Sequence, residues 1–248
     1  FIRQMIDRAV AKGTRTPADA EAIAGRLAVV ETLADLAACD LVVEAIVEKL
    51  DVKQALFAEL DALCPPTTIL ASNTSSLPIT AIAARCKTPD RVAGLHFFNP
   101  VPLMKLVEVI PGLKTRPDVT ERLVAAARVM TREPVVCTDS PGFIVNHIGR
   151  AYVPEAGRIV SEGIATHDEI DRIMTQTVGM RMGPFQLLDL VGADVSVAVM
   201  ESLYGQFYQE PMYAPQPMLR TRVDGGAFGQ KTGAGWYTYK DGKRVDPA

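Results

Sequence analysis

The sequence holds three histidines, and one of them, in His96-Phe97-Phe98-Asn99-Pro100, stands at the end of an apolar run. A second apolar run follows, Lys105-Leu106-Val107-Glu108-Val109-Ile110. Strand alternation places Glu108 on the face of Leu106 and Ile110. A carboxylate there is costly unless something pairs with it. Pro100 and Pro102 keep the intervening residues out of regular strand pairing. If the runs fold back about Pro102, residues equidistant from it face each other, which sets His96 against Glu108. An imidazole held by a carboxylate is suited to taking a proton near neutral pH, because the carboxylate fixes the tautomer and stabilises the imidazolium. A structural His–Glu pair on a hairpin satisfies the same spacing.

Other polar groups are candidates for the same site. Asn73-Thr74-Ser75-Ser76 follows the apolar run Ile69–Ser72. In open α/β sheets ligands bind beyond the carboxyl ends of strands, where this loop falls. The same residues serve as readily in a turn that caps the next helix. Asn146 comes early in a helical stretch and has an amide to offer a substrate carbonyl, though such a residue taken alone is more often a solvent-facing helix residue. Glu44, Glu48 and Lys53 read by themselves as a solvated helix start, with acids near the N-terminus as the helix dipole prefers. Lys231-Thr232-Gly233 reads as an ordinary turn, and His147 and His167 as structural residues.

The elements that must position these groups fall into two halves. Phe1–Lys12 has helical spacing stopped by Gly13, and Thr16-Pro17 supplies an N-cap and an N1 proline for a helix to about Leu27. Leu41–Ala45 and Thr68–Ser72 read as buried parallel strands, with a helix between them over Lys49–Leu63. A helix near Pro78–Ala84 precedes strands at Arg91–Phe98 and Met104–Ile110. A helix over Pro117–Met130 and a strand at Pro134–Cys137 complete a mostly parallel α/β sheet. Beyond Thr138 the pattern turns helical. Ser140-Pro141 is expected to open a long helix through Val160, Thr166–Glu169 is a capping box, and Pro184–Phe207 is helical again. The expected fold class is α/β, a mostly parallel sheet domain over residues 1–139, followed by an all-α C-terminal domain, residues 140–248.

Composition narrows the function class. The 248 residues are 48% hydrophobic and 22% charged with net charge −3, which excludes a disordered or collagen-like chain. No basic stripe suggests nucleic acid, and no apolar run approaches the ~18 residues of a membrane span. Cys39, Cys64, Cys86 and Cys137 match no zinc pattern, so no metal is expected. With no secretory signal, a reducing, cytoplasmic setting is expected.

Taken in order, six segments resemble the L-3-hydroxyacyl-CoA dehydrogenases. They are Asn73–Ser76, His96–Pro100, Lys105–Glu108, Pro141-Gly142-Phe143-Ile144-Val145-Asn146, Met182-Gly183-Pro184-Phe185 and Lys231-Thr232-Gly233-Ala234-Gly235-Trp236-Tyr237. The resemblance implies that residues 1–139 are an incomplete Rossmann-type NAD-binding domain. It also implies NAD-dependent, reversible oxidation of an L-3-hydroxyacyl-CoA to the 3-oxoacyl-CoA, a reaction of fatty acid β-oxidation. In that reading His96 is the general base, Glu108 orients it, Ser75 bonds the reacting oxygen or the nearby cofactor and substrate groups, and Asn146 polarises and positions the substrate. Glu48, Lys53, Ser75, Asn99 and Lys231 match family contacts to the dinucleotide, and the helical half completes the acyl-CoA cleft and forms a homodimer. A relative acting on a free hydroxy acid, such as a gulonate dehydrogenase, is the nearest alternative. The family's opening G-x-G-x-x-G turn occurs nowhere in this sequence. The chain, beginning Phe1-Ile2-Arg3 in mid-pattern, is therefore read as the remainder of a longer product, and a silent dimerising fragment is the further alternative.

Overall fold

The computed structural model describes residues 2–245. Local signals set most of the helices. Thr16 accepts from the Asp19 N–H while the Asp19 carboxylate accepts from the Thr16 N–H, and this capping box opens α2 (Pro17–Ala24) after α1 (Ile2–Ala11). Helix α2 stops at Ala24, short of Leu27, with Gly25 as its C-cap.

Five strands form the main sheet in the order β1-β2-β3-β4-β5: β1 (Leu41–Glu44), β2 (Ile69–Ser72), β3 (Val92–Phe97), β4 (Leu106–Pro111) and β5 (Glu133–Val136). The first three are parallel, β4 is antiparallel to β3, and β5 is parallel to β4. Strand β1 was expected to be buried, but Val43 is 40% exposed because β1 is the edge strand of the described sheet. The connecting helices are α3 (Leu50–Leu63), the short α4 (Ile79–Ile82) and α5 (Pro117–Val129). Strand alternation divides the core between two faces. Leu70, Val92 and Ile110 pack with Phe57, Leu60, Ile79 and Ile82 from α3 and α4. Ala71, Leu95, Val107 and Val109 pack with Val119, Leu123 and Ala127 of α5.

The second half is built from α6 (Val145–Ser161), α7 (His167–Gln176), α8 (Pro184–Val191), α9 (Ala193–Gln206) and α10 (Pro217–Asp224) around Phe185, Leu188, Met200, Leu219 and Trp236. Three details depart from the sequence reading. Helix α6 starts at Val145 rather than at Pro141, because Gly142 (φ 76°) and Phe143 (φ 51°) adopt left-handed backbone that no α-helix continues. The single helix expected over Pro184–Phe207 breaks at Gly192, whose φ of 103° separates α8 from α9. A small hairpin, β6 (Thr238–Lys240) and β7 (Lys243–Val245), closes a half expected to be all helix.

Gly94 in β3 sets how closely α4 approaches the sheet. A Cβ there would lie 2.8 Å from Cδ1 of Ile110 and 2.9 Å from Cδ1 of Ile79. Gly94→Ala is therefore expected to cost about 1–3 kcal/mol, the usual range for overpacking a core. Urea denaturation checks this, and an unchanged midpoint would show that the α4 packing has slack.

Candidate active site

Parallel strands bring their carboxyl ends to one edge, so Glu44, Ser72 and Phe97 finish together where β4 begins. The β3–β4 register pairs His96 with Glu108, as folding about Pro102 requires. His96 is 5% exposed and Glu108 is fully buried. The Glu108 Oε2 lies 2.7 Å from Nδ1 of His96. A carboxylate only accepts, so Nδ1 carries the proton and the lone pair of Nε2 is left to act as a base. Among the described residues Nε2 has no hydrogen-bond partner. The imidazole packs against Phe98 at 4.5 Å and Phe143 at 5.8 Å between ring centroids, which limits its rotation.

The second oxygen of Glu108 reaches the helical half. Oε1 accepts from the Ile144 and Val145 N–H groups, each at 2.9 Å. These are unpaired donors at the start of α6, where a negative charge is favoured. One carboxylate thus orients the imidazole and seats the helix bearing Asn146, the second residue of α6. The Asn146 Nδ2 donates to the Ser75 carbonyl at 3.2 Å.

Ser75 sits in a loop braced from below by ionic groups. Glu48 accepts from the Thr74 hydroxyl at 2.5 Å, the Ser75 N–H at 3.1 Å and the Ser76 hydroxyl at 3.3 Å. Lys53 lies 3.2 Å from Glu48 and 2.6 Å from Glu44, and Glu44 also accepts from the Ser72 hydroxyl. Burial pushes the Glu48 carboxyl up, but the Thr74 bond, the Lys53 charge and the Ser75 N–H outweigh it and hold the group below its ordinary value. The solvated helix start expected at Glu44, Glu48 and Lys53 is corrected by this geometry for Glu44 and Lys53, while Glu48 stays exposed as expected. Lys53 is 1% exposed and Glu44 is 4% exposed, because each satisfies the other. Among the described residues the Ser75 hydroxyl has no partner, while its N–H and carbonyl are both engaged.

Asn99 lies two residues beyond β3, immediately before the cis Asn99–Pro100 bond, and is exposed. Lys231 stands apart from this group. Its ammonium is 2.6 Å from the Asp194 carboxylate and 5.2 Å from the Phe228 ring centroid. His147 bonds the Tyr213 hydroxyl at 2.6 Å, and His167 packs among Phe185, Trp236 and Tyr237. Cys137 is near Glu108, and burial together with the Glu108 and Asp139 charges pushes its thiol up to about 12, so it stays protonated.

Two contributors escaped the sequence reading, and a third, Asn73, lay in the loop it singled out but without a role of its own. Asn73 accepts from the Phe97 N–H at 2.8 Å and ties the loop to the end of β3. Asp139 accepts from the Ile79 and Thr80 N–H groups, each at 2.7 Å. Gln206 of α9 donates to the Ser76 carbonyl at 3.0 Å. Asn73 had a signal, its place in the polar loop; the other two act at separations of 59 residues or more. Among the described residues no helix is long and apolar enough to cross a membrane.

The arrangement offers a proton acceptor, a free hydroxyl and an amide at the junction of a nucleotide-type sheet and a helical half. Residues 1–140 match the family described as 3-hydroxyacyl-CoA dehydrogenase, NAD binding domain, and residues 142–239 match its C-terminal domain. The chain is 45% identical over 239 residues to the 3-hydroxyadipyl-CoA dehydrogenase of Escherichia coli K12, covering 96% of this chain and 50% of that protein. It is 41% identical over 240 residues to the probable 3-hydroxybutyryl-CoA dehydrogenase of Bacillus subtilis 168, covering 97% of this chain and 83% of that one. The crystal structure of 3-hydroxybutyryl-CoA dehydrogenase from E. coli K12 superposes with a TM-score of 0.94 at 44% identity, over 99% of this chain and 52% of that chain. The chain therefore spans about half the length of two of these relatives and most of the third.

The two duties of Glu108 are separable. In Glu108→Gln the amide oxygen still accepts from Ile144 and Val145, while its NH2 donates to Nδ1 and moves the imidazole proton to Nε2. Nitrogen-15 NMR of the His96 ring should report that tautomer change, with stability within about 1 kcal/mol of the parent. Glu108→Ala leaves buried donors unpaired and should cost about 1–3 kcal/mol more. An unchanged tautomer in Glu108→Gln would refute the assignment.

Proposed function

The chain belongs to the 3-hydroxyacyl-CoA dehydrogenase family, and we propose that it interconverts an L-3-hydroxyacyl-CoA and the 3-oxoacyl-CoA with NAD. The observation that supports this most is the His96–Glu108 pair at the edge where the parallel strands end. In the oxidative direction Nε2 of His96 takes the proton of the C3 hydroxyl as the C3–O bond becomes a carbonyl. Glu108 selects the neutral tautomer whose lone pair lies on Nε2 beforehand and offsets the imidazolium charge afterwards. The Ser75 hydroxyl hydrogen-bonds the reacting oxygen, and the second N–H of Asn146 polarises the same end of the substrate. Bound NAD supplies the hydride acceptor for C3, and NADH the donor in reverse.

The chemistry of the donor set fits the nicotinamide end of such a cofactor. Glu48, Ser75 and Asn99 offer a carboxylate, a hydroxyl and a carboxamide, suited to ribose hydroxyls and an amide. Lys53 acts behind them by holding Glu48, since its ammonium is sealed between two glutamates. For Lys231, engaged by Asp194, the geometry adds no support as a cofactor contact beyond the sequence match. We assign residues 1–139 to the remainder of the nucleotide domain and 140–248 to the helical substrate and dimerisation domain. Four free cysteines are in keeping with a cytoplasmic location.

The purified protein should oxidise NADH when given acetoacetyl-CoA, and His96→Ala should lower kcat by about 10²–10⁴-fold, the range for losing a general base. Turnover by His96→Ala near the parent level would overturn the base assignment. Equal or better turnover of a free hydroxy acid would favour the gulonate-type reading. A second copy is the proposed partner of the helical half, which exposes Ile148, Ile164, Ile173 and Val178 by 51–66%. Light scattering should give a dimer, and a monomer at micromolar concentration would count against it.

A further inference from the structure

We propose that Gln206 is a positioning residue for Ser75, holding the Asn73–Ser76 loop from the helical side; this rests on the dehydrogenase reading above. The loop is gripped from two directions by groups of complementary kind. Glu48 can only accept, and it takes the N–H and hydroxyl donors of Thr74, Ser75 and Ser76. The amides of Asn146 and Gln206 donate to the consecutive carbonyls of Ser75 and Ser76. Peptide planes on both sides of Ser75 are fixed by Glu48 and Asn146, and Gln206 fixes the next plane along. The Asn146 bond is the longer of the two at 3.2 Å, and its amide has a second duty toward substrate. Gln206 has no such duty, so it keeps the loop in place while Asn146 engages the reacting groups.

Gln206 is itself held firmly. Its Nε2 bonds both the Ser76 carbonyl and the Ser202 hydroxyl, each at 3.0 Å, which determines which way the amide points. Its Oε1 is buried without a partner among the described residues, so the amide is kept there by its donor side alone. The end of α9 is set by Leu203, which is fully buried and sits so close to Gly142 that a Cβ there would lie 2.9 Å from it. Helix α9 thereby presents Gln206 from a rigid base on the interdomain linker.

A double-mutant cycle with Ser75→Ala tests whether Gln206 acts through Ser75. Gln206→Leu should lower kcat with acetoacetyl-CoA and NADH about tenfold, with KM for NADH within about twofold. In the Ser75→Ala background the same change should cost less than about twofold. Full additivity would overturn the inference. Gln206→Glu, which keeps the size but sets an acceptor against a carbonyl, should reproduce the split if Gln206→Leu does not fold. Amide hydrogen exchange gives a readout independent of turnover. Gln206→Leu should speed exchange in residues 73–80 and leave residues 50–63 unchanged. Unaltered exchange in 73–80 would overturn the inference, whereas absence of turnover by the parent protein would overturn only the proposed reaction.

Discussion

A carboxylate placed in a strand with no exposure to water must have every lone pair answered, and Glu108 imposes that demand on the rest of the molecule. Desolvating the charge costs several kcal/mol unless donors replace water. The donors come from two directions, the imidazole of the neighbouring strand and the first N–H groups of α6. Satisfying Glu108 therefore aligns the β3–β4 register, fixes the tautomer of His96 and seats the helical half against the sheet. Removing any of the three partners leaves part of a buried charge unpaired, so the site and the domain junction share one anchor.

The same device recurs through the fold. Asp139 accepts from the N–H groups of Ile79 and Thr80, and Asp61 from those of Lys87 and Thr88. Asp171 accepts from Phe185 and Gln186, and Asp189 from Trp236 and Tyr237. Each carboxylate pins the start of a segment distant in sequence, which is how short elements are held without large cores of their own. The environments still differ. Burial raises the Asp171 carboxyl despite its donors, whereas for Asp61 the Thr88 and Arg91 bonds outweigh burial and lower it.

Against these fixed points the Ser75 loop is held by shared hydrogen bonds rather than by packing. An acceptor-only group beneath it and donating amides above it leave one hydroxyl free. That division of labour leaves the Ser75 hydroxyl unengaged among the described residues while its N–H and carbonyl are both bonded, the kind of arrangement that preorganised sites use. The buried Lys53 contributes at one remove, since its charge keeps Glu48 in the acceptor state that the loop needs.

Much of this was legible in the sequence, because the relevant signals are local. Apolar alternation with an isolated Glu108, a proline-marked reversal and His96 equidistant from it fixed the strand pair, and Thr16 and Thr166 announced their helices. What escaped depended on distant partners. Lys53 reads as a solvent-facing helix residue until Glu44 is brought beside it. Ser140-Pro141 resembles a helix start, but Gly142 closes on Leu203 from α9 and adopts a backbone that only the packed structure calls for. Gln206 has no local mark at all, since its meaning is a carbonyl 130 residues away. The sequence alone determined most of the kinds of elements and the pairing of His96 with Glu108, since periodicity, capping and residue type act within a few positions. Only the tertiary structure decided which polar groups are buried, because desolvation is set by neighbours that chain order does not reveal.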